Sequence, residues 1–157
     1  MFINTLRFAA VILVAMMGAA HPLHAQGSKS YKARLAPVPM TTAMASTVAG
    51  LGSISAQLNG SRLTITGKYD DLKSPATIAQ LHRAPRGMRG PVVPGVPDLT
   101  ITKGANGGTS GTLSVVIEMT PALLADLEKN WLYIQLHSEK APDGNLWGWL
   151  MLQENRR

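Results

Sequence analysis

The chain has 157 residues, 15 Lys and Arg against 9 Asp and Glu, a formal net charge of +6, and no cysteine. Without cysteine there are no disulfides, thiolate metal sites or thiol chemistry, so packing alone must hold the fold. The basic excess favours acidic partners and carries no information about fold.

Residues 1–25 read as a secretory signal peptide. Arg7 supplies the positive n-region, Phe8 to Ala20 an uncharged apolar core, and Leu23-His24-Ala25 the small-residue cleavage site, with Gly18-Ala19-Ala20 as a second candidate. The apolar run is short for a membrane span, and no later segment offers one. Residues 26–157 then amount to a single domain, expected in the periplasm or secreted. Only Arg7 is lost with the leader, which leaves 14 basic against 9 acidic side chains, a balance of +5.

Tyr31 to Leu35 predicts a first strand, stopped by Ala36-Pro37-Val38-Pro39, where the prolines forbid regular pairing. Met40 to Ala49 follows no clear period. Gly52 to Leu58 places Ile54, Ala56 and Leu58 on one face, and Arg62 to Tyr69 does the same with Leu63, Ile65, Gly67 and Tyr69. Asn59-Gly60-Ser61 between them tolerates positive φ, which predicts a hairpin. After a turn at Asp70 to Pro75, Thr77 to His82 predicts a strand with Ile78, Gln80 and His82 on one face and Thr77, Ala79 and Leu81 on the other. A loop carrying Arg83, Arg86 and Arg89 follows and returns at Val92-Val93. Pro94 and Pro97 make Val92 to Ile101 an edge or irregular strand, and Lys103 to Gly111 is a glycine-rich connection.

Leu113 to Glu118 resumes the alternation, and then the period changes. Thr120 is an N-cap with Pro121 at the first helical position. Leu123, Leu124 and Leu127 recur at helical spacing with Asp126 and Glu128 outward, a helix of about two turns. Trp131 to His137 returns to period two, with Leu132, Ile134 and Leu136 inward and Trp131, Tyr133, Gln135 and His137 on the other face. Pro142-Asp143-Gly144 predicts a turn. In the final strand Leu146, Leu150 and Leu152 face the core, while Trp147 and Trp149 face away. The expected fold is all-β: an antiparallel Greek-key-like sandwich or barrel of roughly seven or eight short strands with one short helix.

Three pieces of the sequence stand in a recognisable order. They are Ala79-Gln80-Leu81-His82 leading through a glycine-bearing loop to Gly90-Pro91-Val92-Val93, the segment Thr120 to Leu127, and Tyr133 to Ser138 followed by Pro142-Asp143-Gly144-Asn145-Leu146-Trp147-Gly148. Together they resemble the CHRD (chordin-type) domain family, in which A-H-I-H, G-P-V-V, V-H-T/S, P-x-G and E-I-R-G are typical. The resemblance spans Tyr31 to Leu152. It implies a β-sandwich used in extracellular interaction, of the kind found in exported bacterial proteins, and no catalytic activity. Gln80 stands where the family has its first histidine, Ala84 replaces a glycine, and Asn145-Leu146-Trp147-Gly148 replaces E-I-R-G.

His82 and His137 lie at strand–loop seams, where a rigid scaffold presents functional groups. Arg83, Arg86 and Arg89 recur every third residue. If their loop were extended like polyproline II, they would share one edge suited to phosphates, sulfates or carboxylates. An ordinary solvated loop is the alternative. With Gln80, Trp147 and Trp149 they make the expected partner-binding set, for an envelope protein or an anionic cell-surface polymer. The two tryptophans are exposed at an interface, or covered if the in/out assignment is reversed. Export, and the lack of aromatics between the arginines, argue against nucleic acid. His82 and His137 either cap strand ends or meet to bind a soft metal, copper or zinc, with no cofactor as the first expectation. No G-x-S-x-G elbow, phosphate loop or H-E-x-x-H is present, and neighbours His137 and Ser138 diverge on a strand, so a triad with Asp143 lacks its nucleophile.

Overall fold

The structure is a computed structural model and describes residues 27–154. The expected signal peptide and its cleavage site therefore lie outside the described residues. The strands are β1 Lys29–Pro37, β2 Leu51–Asn59, β3 Arg62–Asp70, β4 Ala76–Arg83, β5 Thr100–Lys103, β6 Gly111–Glu118, β7 Leu132–Ser138, β8 Ala141–Trp149 and the short β9 Met151–Leu152. Among the described residues one α-helix, α1 Pro121–Glu128, joins β6 to β7. Neighbouring strands run antiparallel in the order β4-β7-β8-β1-β2-β3-β6-β5, with β9 added beside β1. At the open seam the Leu99 amide donates to the Ala79 carbonyl across 2.8 Å, so the sheet nearly closes into a barrel. The all-β expectation is met.

Period-two patterning accounts for the core. Ile54, Ala56 and Leu58 on β2, Leu63, Ile65 and Tyr69 on β3, and Leu132, Ile134 and Leu136 on β7 are all buried in one cluster. The Asn59-Gly60 hairpin joins β2 directly to β3, with Asn59 opposite Arg62 and Leu58 opposite Leu63. In α1 the Thr120 side chain accepts from the Leu123 amide and Pro121 occupies the first turn, as its sequence requires. Leu127, on the inward face, is fully buried in the same core.

Four local expectations are corrected, each because pairing overrides a local signal. Pro37 does not end β1. Lys29 to Leu35 pair with β2, and Ala36 and Pro37 then pair with Trp147 and Leu146 of β8, so the strand continues by changing partner. Pro142-Asp143-Gly144 is not a turn: it lies within β8, and the chain reverses at Glu139-Lys140. The ladder shifts register between Leu136 and Ser138, and this bulge absorbs the proline and glycine. A second bulge between Ala76 and Ala79 exposes Thr77 and puts Ala76 in the core instead. Leu152 is 49% exposed, because the chain leaves β8 at Leu150 and restarts along β1. Met40 to Ala49 holds one short 3-10 turn, Thr42–Ser46.

Candidate functional site

The strands β4, β7 and β8 turn one face to the core and the other outward. In register across the outward face stand His82, Tyr133 and Trp149, and beside them Gln80, Gln135 and Trp147. The alternation read from the sequence is correct here, but the face is not bare. The loop from Ala84 to Val93 folds over it, and Ala84, Tyr133 and Trp149 form a small second core beneath. Trp149 is only 8% exposed; Trp147 is half-buried.

The loop is fastened from below. Met88 N donates to Pro85 O, closing a turn whose third residue, Gly87, has φ of 86°, a conformation suited to glycine. Gly90 is fixed three ways: its amide donates to the Tyr133 hydroxyl (3.0 Å), and its carbonyl accepts from that hydroxyl (3.2 Å) and from His82 Nδ1 (2.9 Å). Any Cβ on Gly90 would collide with the Arg83 carbonyl, so the returning chain lies flush on the end of β4 only with glycine there. The Trp149 indole donates to Ala84 O at 3.0 Å and pins the loop's start.

The loop is therefore a turn and a return that bridges back to β4 at Val92, rather than a polyproline edge, and the three arginines part company. Arg83 pairs with Asp126 at 2.9 Å. That carboxylate is 3% exposed on the inner side of α1, which corrects its outward placement. Arg89 donates to the Asp143 carbonyl at 3.0 Å. Arg86 stays exposed at the turn and lines an open groove with Arg34, Trp147, Trp149 and Met151. Arg34, on the outward face of β1, was missed by sequence reasoning that followed the loop alone; its alternation with buried Ala33 and Leu35 was the available signal. Gln80 donates to Asp98 at 2.9 Å, away from this groove.

His82 and His137 do come together, with ring centres 6.3 Å apart and planes at 30°. The β8 bulge turns the Pro142 carbonyl onto His137 Nδ1 at 2.7 Å. In both rings Nδ1 faces a carbonyl oxygen, which only accepts, so Nδ1 carries the proton and Nε2 keeps its lone pair. His137 Nε2 accepts from the Gln135 side-chain amide at 3.3 Å; His82 Nε2 is buried with no hydrogen-bond partner. Burial lowers the His82 pKa below its ordinary value, the Gly90 hydrogen bond opposes this, and the charge of nearby His137 adds to it. Ser138 Oγ is buried without a partner, so no Ser–His pair is assembled. Among the described residues no three His, Cys, Asp or Glu side chains group as metal ligands, and no helix is long and apolar enough to cross a membrane.

A nearly closed antiparallel barrel with one outer face roofed by a fastened loop defines an all-β module. The family model described as CHRD domain matches residues 16–150, and the chain belongs to the CHRD domain family. CHRD domains form a family of non-enzymatic binding modules and are typically extracellular. No curated protein matches the chain, and no solved structure does.

Proposed function

We propose that this chain is an exported, non-catalytic binding module, periplasmic or secreted, that engages a polyanionic cell-surface partner through the groove between the loop turn and β1. One observation carries the reading: Arg34 and Arg86, from distant parts of the sequence, line the same open groove as the half-buried Trp147. Guanidinium groups offer forked donors to phosphate, sulfate or carboxylate, and an indole face packs against the apolar side of a sugar or lipid moiety. The underlying face is rigid because His82, Tyr133 and Trp149 hold the loop down, so little ordering cost accompanies binding. The charge balance of residues 26–157 adds long-range attraction. Export rests on the charge, apolar core and small-residue pattern of residues 1–25.

Titration of the purified protein into fluorescent dextran sulfate tests the reading. Saturable binding that is lost in Arg34→Ala/Arg86→Ala supports it; binding equal in wild type and double variant refutes it.

A further inference from the structure

We propose that His82 and His137 form a two-nitrogen site for copper(I) beneath the arginine loop, separate from the polyanion groove and independent of it.

The two imidazoles are prepared as ligands. Each has its Nδ1 proton held by a backbone carbonyl, Gly90 for His82 and Pro142 for His137, which fixes the tautomer, orients the ring and leaves Nε2 as the basic nitrogen. His82 Nε2 is buried in a residue only 6% exposed, yet nothing donates to it. Buried acceptors without partners are uncommon, because each forgoes the hydrogen bond it had in water. A bound cation would satisfy this lone pair. The ring centres are 6.3 Å apart, the roughly 6 Å that two imidazoles span when they hold one ion from opposite sides, in a line, through bonds of about 2.0 Å.

The surroundings select the ion. Zinc in proteins takes three or four N, S or O ligands, and no third His, Cys, Asp or Glu of the described residues joins these two. Charge argues the same way: Arg89 is tied to the Asp143 carbonyl, next to the Pro142 carbonyl that holds His137, and its positive charge opposes a divalent ion about twice as strongly as a monovalent one. A monovalent, soft, low-coordinate cation with an affinity for imidazole fits both conditions, and copper(I) is that ion. Gln135 does not block it. Its amide also donates to Asp143 O at 3.2 Å and keeps that bond when the His137 lone pair is taken. Entry is from the His137 side, the less buried of the two rings.

The test is an anaerobic titration of the full chain, carrying His21→Ala and His24→Ala to remove its other imidazoles, with copper(I) in competition with bicinchoninate. The expected result is one retained copper(I) per chain, X-ray absorption showing two nitrogen neighbours, and at least a tenfold loss of retention in both His82→Ala and His137→Ala. His137 is partly exposed, so its variant is expected to keep the fold, checked by circular dichroism, and decides the matter if His82→Ala unfolds. No retention by the parent chain overturns the proposal, as does retention unchanged in His137→Ala. Stoichiometric zinc(II) retained through His82 and His137 after equimolar copper(I) and zinc(II) are added together, read by metal analysis of the desalted protein, overturns the assignment of the ion.

Discussion

His82 Nδ1 donates to the carbonyl of Gly90 across 2.9 Å, and that single carbonyl also accepts from the Tyr133 hydroxyl. Two strands of the barrel thus hold one residue of the loop, and through it the loop's position over the sheet. Gly90→Ala is predicted to destabilise the protein by about 2–3 kcal/mol, since its Cβ meets backbone and not a side chain that could swing away. Urea unfolding checks this, and an unchanged midpoint would show that the loop is not fastened there.

Tyr133→Phe keeps the stack on His82 and Trp149 but removes the hydroxyl. The Gly90 amide loses its acceptor, at a cost of about 1–2 kcal/mol. Trp147 and Trp149 should report this as a red shift in tryptophan emission, because water reaches them when the loop loosens.

Stability should fall with pH through the range where unfolded histidines titrate. The His82 pKa is lowered in the folded chain, chiefly by burial, from the ordinary value of 6.5. Above that value both states hold a neutral ring, and the full stability is present. As pH falls through 6.5 towards the lowered folded value, the unfolded chain takes up the proton first and stability is lost. Denaturation midpoints of the metal-free protein at pH 7.5 and 5.5 should differ, and the difference should shrink in His82→Phe. An equal difference in the variant would assign the effect to other groups.

Arg83 and Arg86 should separate cleanly. Arg83→Ala strands the buried Asp126 carboxylate and is predicted to cost about 1–3 kcal/mol, less than for a fully buried pair because Arg83 is itself half in water. Arg86→Ala removes an exposed side chain and should stay within about 0.5 kcal/mol. Thermal denaturation of the two variants side by side distinguishes them.

Much of this fold was legible because its signals are local. Asn59-Gly60 specifies a turn, Thr120-Pro121 a helix start, and the alternation of Ile54, Ala56 and Leu58 a buried face, each from neighbours in sequence. Pro37 and Pro142 misled because a strand survives proline when its partner changes or its ladder bulges, and both depend on β8 and β1 meeting in space. Asp126 read as solvent-facing because its partner, Arg83, lies on another element. For the site, the outward placement of Trp147, Trp149 and Tyr133 followed from period two. That a loop would cover them could not follow, since Ala84 to Val93 has no period and is held by hydrogen bonds to distant strands. Arg34 joins the groove for the same reason: only the pairing of β1 with β8 brings it beside Trp147.

The proposed function assigns partner binding to an arginine pair around Trp147 and not to basic charge in general. The most direct measurement is the affinity for dextran sulfate at low and high salt, for wild type, Arg34→Ala/Arg86→Ala, and a charge-matched control, Lys68→Ala/Lys103→Ala, on exposed positions of β3 and β5. The lysine control is expected to bind nearly as tightly as wild type, both weakening as salt rises, while the arginine variant binds at least tenfold more weakly at low salt. Equal weakening of the two double variants would contradict it, because binding would then follow net charge alone.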